Sequence, residues 1–232
     1  MPSLWVAARS VWRALVPSSL KQTTLGRKLK NRFYKSLPHD VIYDREYFQR
    51  DIEVAAARSA GPIASSVLAE WKPNSVVDVG CGTGALLEVF RDGGCRVFGL
   101  EYADAGLEFC RRRNLDVQKF DIERSSIADY PKFDVAISLE VAEHLPESSA
   151  NRFVGLLARM SNRIVFTAAH PGQGGTDHVN EQPEAYWIAK FRNNGFAPDF
   201  ELRDRWKKDW AASGQVIGFY IQNLMIFTKT SA

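Results

Sequence analysis

Leu4, Trp5, Ala8, Val11, Trp12, Leu15 and Val16 recur on one helical face, Arg9 and Arg13 lie on the other, and Pro17 ends the run. That spacing predicts an amphipathic helix. A second helical stretch is expected from about Asp44 to Trp71, closed by Pro73-Asn74. From Ser75 onward the pattern changes. Short apolar runs predict strands at Ser75–Val79, Arg96–Glu101, Val117–Phe120, Phe133–Leu139 and Arg163–Ala168. Helical periods fall between and after them, at Gly84–Arg91, Ala105–Arg113, Ser148–Met160 and Pro183–Asn194. The C-terminal part differs, because Phe196–Leu202 and Gln222–Thr228 both read as strands and suit a hairpin. Strands alternating with helices imply an α/β fold, here a Rossmann-like, mostly parallel sheet with helices on both faces. The terminal pair would add one antiparallel strand.

Composition changes this picture little. The 232 residues are 45% hydrophobic and 25% charged, enough to bury a core without staples. Three scattered cysteines, Cys81, Cys95 and Cys110, form no CxxC pair, which suits a reducing, cytoplasmic setting. No apolar run approaches the roughly 20 residues that span a bilayer. Charge divides the chain more sharply. Residues 1–39 hold eight Lys and Arg and no acid, so a net charge of +3 leaves −5 for the other residues. The expected organisation is therefore a basic extension over 1–39 and one domain over 40–232. The extension's helix suits packing on its own domain or on a second subunit, peripheral membrane contact through residues 1–20, or a mitochondrial presequence through residue 36. Its charge says nothing about what the main domain binds.

The candidate chemistry starts at Val76–Gly84, read VVDVGCGTG. A strand running into Gly80, Gly82 and Gly84 before a helix brings backbone N–H groups and a helix N-terminus to one point, where ligands bind. The run Gly80 to Ala85 also satisfies the G-x-G-x-x-G/A dinucleotide pattern. Asp78, two residues before the first glycine, argues against a pyrophosphate, which it would repel, and for a ligand bearing an amine. Glu101 ends the next strand, placed for ribose hydroxyls. Asp121 and Ile122 follow the third strand, placed for an adenine amine and ring.

Taken in order, Val76–Gly84, Glu101, Asp121 and Phe133–Leu139 resemble the successive motifs of the class I S-adenosylmethionine-dependent methyltransferases, over roughly residues 70–230. The resemblance implies a seven-stranded sheet with one antiparallel strand. It also implies that Asp78 and the glycine loop hold the methionine end, Glu101 the ribose, and Asp121 the adenine with Ile122 against its ring; Cys81, Tyr102 and Leu139 are further candidate cofactor-binding residues. A dehydrogenase is the weaker reading, since no separate catalytic region is evident.

A second constellation follows the fourth strand in SLEVAEHLP, where Glu140, Glu143 and His144 stand at i, i+3 and i+4. Such spacing presents all three on one face of a helical turn, and two carboxylates with an imidazole suit a divalent metal such as magnesium. After the fifth strand, AAHPGQGGTDHVNEQ adds His170 and His178. The ends of neighbouring strands four and five open onto the same sheet edge, so three of the four histidines are expected beside the reacting methyl. His39 stays outside this set. The Glu-x-x-Glu-His spacing is similar to that of methyltransferases acting on catechol-like hydroxyls in ubiquinone biosynthesis and on the terminal 2′-hydroxyl of small RNAs. By that resemblance Glu140, Glu143, His144 and His178 would be metal ligands. The loop Pro171–Thr176 departs from the RNA group's loop. Many methyltransferases carry a Glu-His pair without metal, and there His144 or His170 would act as base, with an ordinary pKa of ~6.5.

These readings lead to an expected methyl transfer to a hydroxyl of a small molecule, sugar or lipid-linked metabolite, with nucleic acid disfavoured. RNA 2′-O-methylation, N-methylation and a non-catalytic cofactor-binding subunit are the alternatives. The loop Ala169–Gln182 and the segment Arg203–Tyr220 are expected to shape the acceptor site. Tyr43, Tyr47 and Phe48 are expected to pack on the sheet rather than to lid the cofactor. Trp187, Trp206 and Trp210 are expected in the core, and Lys207-Lys208 on a solvated surface.

Overall fold

The computed structural model describes residues 43–127 and 129–230. The expected amphipathic helix, the basic extension and His39 lie outside the described residues. A short helical turn at Arg45–Tyr47 and a π-helical turn at Phe48–Ile52 lead into α1, Glu53–Trp71. Then follow β1 (Ser75–Val79), α2 (Ala85–Asp92), β2 (Arg96–Glu101), α3 (Asp104–Arg112) and β3 (Val117–Lys119). The second half runs β4 (Val135–Leu139), α4 (Ala150–Met160), β5 (Arg163–Thr167), α5 (Glu184–Arg192), β6 (Phe196–Pro198), α6 (Phe200–Ser213), α7 (Gly218–Asn223) and β7 (Met225–Lys229).

The seven strands form one sheet in the order β3-β2-β1-β4-β5-β7-β6. All neighbours are parallel except those of β7, which runs antiparallel to both β5 and β6. This is the expected seven-stranded, mostly parallel α/β architecture with a single reversed strand. Successive side chains along each strand feed opposite faces. Val76 and Ile137 join the side packed by Ile63 and Val67 of α1, Leu87 of α2, and Trp206 and Trp210 of α6. Val77 and Ala136 join the side packed by Phe153 and Leu157 of α4, and by Trp187 and Phe191 of α5. With both faces covered, β1 is buried at every position, which is why it reads as a continuous apolar run around Asp78.

Two expectations at the C-terminus need correction. Only Phe196–Pro198 is strand, because Asp199 ends it by capping α6, its Oδ1 accepting from Leu202 N at 2.9 Å. Leu202, Trp206 and Trp210 then recur at helical spacing and are all buried. Residues 218–223 are also helical, so β6 and β7 pair across two helices rather than as a hairpin. The three tryptophans are core, as expected. Lys208 is exposed, whereas Lys207 is half-buried and donates to Gln222 O at 2.8 Å.

Candidate functional site

One cavity of about 540 Å³ opens at the C-terminal edge of β1, β2 and β4. That lies within the ~300–1,000 Å³ of small-molecule sites, at the sheet edge where α/β ligands bind. The strand order reverses there, since β1 has β2 on one side and β4 on the other.

The loop after β1 forms its floor. Gly80 N and Cys81 N donate to Leu100 O at 2.7 and 3.1 Å, stitching the loop to β2. Gly80 has φ +81°, and a side chain there would overlap Val141. Glycine is therefore required by conformation and by space. Gly82 N donates to Glu101 Oε2 at 2.8 Å, and Ala103 N to Glu101 Oε1 at 2.8 Å. Asp78 is buried, and its Oδ1 has no hydrogen-bond partner among the described residues. Burial, and then the neighbouring Glu101, push the Asp78 carboxyl up to about 8. Burial pushes Glu101 up to about 7 against the backbone donors that lower it. Two neighbouring carboxyls held toward the neutral form by burial make a site that a positively charged ligand would ionise. Farther along, Asp121 Oδ1 accepts from Glu123 N and Arg124 N at 2.8 and 3.1 Å, fixing the loop after β3.

Asp78, Gly80, Cys81, Gly82, Glu101, Tyr102, Asp121, Ile122 and Leu139 all line this cavity. Gly84 does not. It caps α2 with φ +76°, where a side chain would strike Leu115 and Cys110, so its constraint is packing beneath the loop rather than ligand contact.

The chain turns sharply after β4. Glu140 takes φ +55°, held by Thr167, whose Oγ1 and carbonyl O accept from Glu140 N at 2.9 and 3.2 Å. This left-handed turn, costly for a residue with a side chain, swings Val141 over Gly80 and starts the 3₁₀ turn Ala142–His144. Glu143 is fully buried, and among the described residues neither carboxylate oxygen has a hydrogen-bond partner of good geometry. Burial, and then Glu140, push its carboxyl well above the usual range. Ligand atoms of Glu143, His144 and His178 lie within 4.8 Å of one another, and the His144 and His178 rings meet edge to face at 5.0 Å. His144 Nδ1 lies 3.4 Å from Asp177 O and 3.2 Å from Tyr43 Oη, while Tyr43 Oη donates to Asp177 Oδ2 at 3.3 Å. A carbonyl can only accept, so the Asp177 contact favours the tautomer with the proton on Nδ1 and the lone pair on Nε2. Orphaned carboxylate oxygens beside two imidazoles fit a divalent cation.

Three expectations change here. Glu140 is not part of that cluster; its carboxylate accepts from Asn223 Nδ2 at 2.9 and 3.0 Å and from Gln173 Nε2 at 3.3 Å. His170 is exposed and does not line the cavity, because it stands at the outer start of the loop after β5, which reaches the cavity only from Gln173 onward. Tyr43, Tyr47 and Phe48 do not pack on the sheet. They cluster over Ala103, after β2, and form part of the cavity wall. Of Arg203–Tyr220, Phe219 and Tyr220 reach the cavity, whereas α6 supplies core. Sequence reading missed Gln173 and Asn223, whose role depends on meeting Glu140 from distant segments.

A family model described as a methyltransferase domain matches residues 77–162. The chain has the Rossmann-like methyltransferase fold. Among solved structures, it resembles magnesium protoporphyrin IX methyltransferase from Synechocystis with bound S-adenosylmethionine, at TM-score 0.59 and 17% identity over 90% of this chain and 99% of that one. An amino pentose methyltransferase from Micromonospora echinaspora aligns at TM-score 0.55 and 17% identity, over 80% and 94% of the two chains. Curated relatives include the ubiquinone biosynthesis O-methyltransferase of Alkalilimnicola ehrlichii, 27% identical over 121 residues, 49% of this chain and 45% of the relative. That of Pseudomonas entomophila is 30% identical over 121 residues, 49% and 48% of the two chains. The chain spans about half the length of these curated relatives.

Proposed function

We propose that the chain is an S-adenosylmethionine-dependent methyltransferase that methylates a hydroxyl of a small-molecule, sugar or lipid-linked acceptor, assisted by a divalent cation. The observation that carries the acceptor side is Glu143, fully buried with neither oxygen in a hydrogen bond of good geometry among the described residues, beside His144 and His178 in the cavity that also holds the glycine loop.

In this reading Asp78 and the backbone of Gly80–Gly82 hold the amino-acid end of the cofactor, Glu101 the ribose, and Asp121 with Ile122 the adenine. S-adenosylmethionine supplies a sulfonium methyl group open to in-line attack. A cation at Glu143, His144 and His178 would lower the pKa of an acceptor hydroxyl, as it does for bound water. Glu140, held by Asn223 and Gln173, presents a further carboxylate beside that position. The walls at Tyr43, Tyr47 and Phe48 exclude water and restrict the acceptor's approach, so alignment supplies much of the rate.

Acidic lining disfavours an RNA acceptor. Asp51, Asp121, Glu123 and Glu140 face the cavity beside the buried carboxyls of Asp78, Glu101 and Glu143, which burial holds toward the neutral form, against Arg124 and two histidines among the described residues. A phosphate backbone would meet repulsion there. Among the described residues no helix is long and apolar enough to cross a membrane.

The test is calorimetric titration of S-adenosylhomocysteine and, separately, of magnesium, manganese and zinc into the protein and into Glu143→Gln and His178→Ala. Cofactor binding throughout, with metal uptake lost in both variants, is the expected result. Metal uptake unchanged by both would remove the cation from this site and leave a histidine as base. No cofactor binding would end the methyltransferase reading.

A further inference from the structure

Glu181 lies outside the cavity wall, yet three donors from the loop after β5 converge on it. Gly172 N donates to its Oε2 at 2.8 Å, Gly174 N to its Oε1 at 2.7 Å, and His178 Nδ1 stands 3.0 Å from Oε1. Both side chains are largely buried, His178 at 10% and Glu181 at 20% exposure. A carboxylate that takes two backbone N–H groups is an acceptor, so the histidine nitrogen facing it must be the donor. That places the proton of neutral His178 on Nδ1 and leaves the lone pair on Nε2.

A second constraint acts on the same ring. Gly175 has no left-handed φ to explain its identity. A methyl built on it would overlap Nε2, Cε1 and Cδ2 of His178 together, so the glycine backbone lies against the face of the imidazole. The face is packed, and Nδ1 is tied at the edge. Rotation about the ring's χ2 axis is then opposed from two directions.

We infer that Glu181 is the positioning residue for His178: it fixes the ring's plane and its tautomer, with the proton on Nδ1 and the lone pair on Nε2, and in doing so it holds the loop Gly172–His178 along the cavity wall. The inference rests on the proposed use of His178 in methyl transfer. Its physical content, however, is a tautomer, which exists with or without turnover. Carboxylates that accept from the second nitrogen of a functional histidine recur in metal sites, and removing one typically lowers affinity or activity ~10–100-fold.

The experiment compares wild type, Glu181→Ala and Glu181→Gln in the full chain. Long-range ¹H–¹⁵N spectra of the histidine ring, taken without metal or cofactor, read the tautomer directly. Wild type should show a protonated Nδ1 and an unprotonated Nε2 at His178. Alanine should give a mixture of tautomers, and glutamine, whose amide oxygen still accepts, should retain the wild-type signature. In parallel, kcat on the best acceptor found should fall ~10–100-fold in the alanine variant and recover most of that loss in the glutamine variant, with S-adenosylhomocysteine affinity unchanged. An unchanged His178 tautomer in Glu181→Ala overturns the inference, and so does a loss of cofactor affinity as large as the loss of kcat. If no acceptor is turned over by wild type, the function fails and the spectra alone decide the role of Glu181.

Discussion

Replacing Asp78 by asparagine removes one of two carboxyls held protonated by burial at the cofactor end of the cavity. The Asp78 carboxyl sits at about 8 and that of Glu101 at about 7. Both values lie above the ordinary carboxylate range, so the ligand-free protein is most stable with both groups protonated. That contribution is fully present below about 4, where the unfolded carboxyls are also protonated, and is lost progressively as pH rises to about 7 for Glu101 and about 8 for Asp78. A ligand bearing an ammonium reverses the preference, because the ionised carboxylate then has a partner. Binding must release protons, and affinity must rise with pH. If the bound form needs Asp78 ionised, raising pH from about 6 to about 8 strengthens binding about 50-fold through this group alone, with about tenfold more where Glu101 also ionises. The assay is calorimetric titration of S-adenosylhomocysteine, which keeps the ammonium but cannot turn over, in two buffers of different ionisation enthalpy. Near pH 7 it should release on the order of one proton. In Asp78→Asn the release should fall to the Glu101 share. Affinity at the alkaline end should drop about 30-fold or more, corresponding to ~2 kcal/mol or above for losing one member of a buried charge pair. At neutral pH the ligand-free variant should melt higher than wild type, because Asp78 ionises in the unfolded chain but is held protonated in the folded one, a penalty the amide does not carry. Identical pH slopes for wild type and Asp78→Asn would refute the assignment of the ammonium to Asp78.

Gly80→Ala should lower both melting temperature and cofactor affinity, by about 1–2 kcal/mol for the left-handed backbone and more for overlap with Val141. Adding Val141→Ala should restore only the overlap's share, as thermal melts of the single and double variants will reveal. Trp210→Ala empties a buried position and frees Ser66 Oγ, which Trp210 Nε1 meets at 2.9 Å. A loss of about 3–5 kcal/mol in urea unfolding is expected, and under about 1 kcal/mol would contradict a packed position. His170→Ala should leave kcat/KM and stability within about ±0.5 kcal/mol, because His170 is exposed outside the cavity; a large loss of kcat would reinstate it as base.

Most of the sheet was legible in the chain because parallel strands buried on both faces must be apolar along their length, and helices between them must alternate at helical period. The cofactor end was legible for a related reason. Its residues sit one per strand end, at Asp78, Glu101 and Asp121, so strand assignment alone carries them to one edge. The last part of the chain was not. Phe196–Leu202 has the residues of a strand, and only the Asp199 cap with the packing of Trp206 and Trp210 against α1 turns its last three residues into a helix.

The acceptor side divides in the same way. Glu143 and His144 belong together by proximity along the chain, and a turn suffices to present them. Which histidine joins them depends on how the loop after β5 folds back, and His170 and His178 are equivalent to any rule of spacing. The loop's path is decided by Glu181 gathering Gly172, Gly174 and His178. Tyr43 reaches His144 and Asp177 across more than a hundred residues, and Asn223 reaches Glu140 from the far end of the domain. Periodicity reports which side of an element is buried. Contacts between loops leave no periodic trace, because each is one hydrogen bond or one packed ring between segments that only the closed sheet brings together.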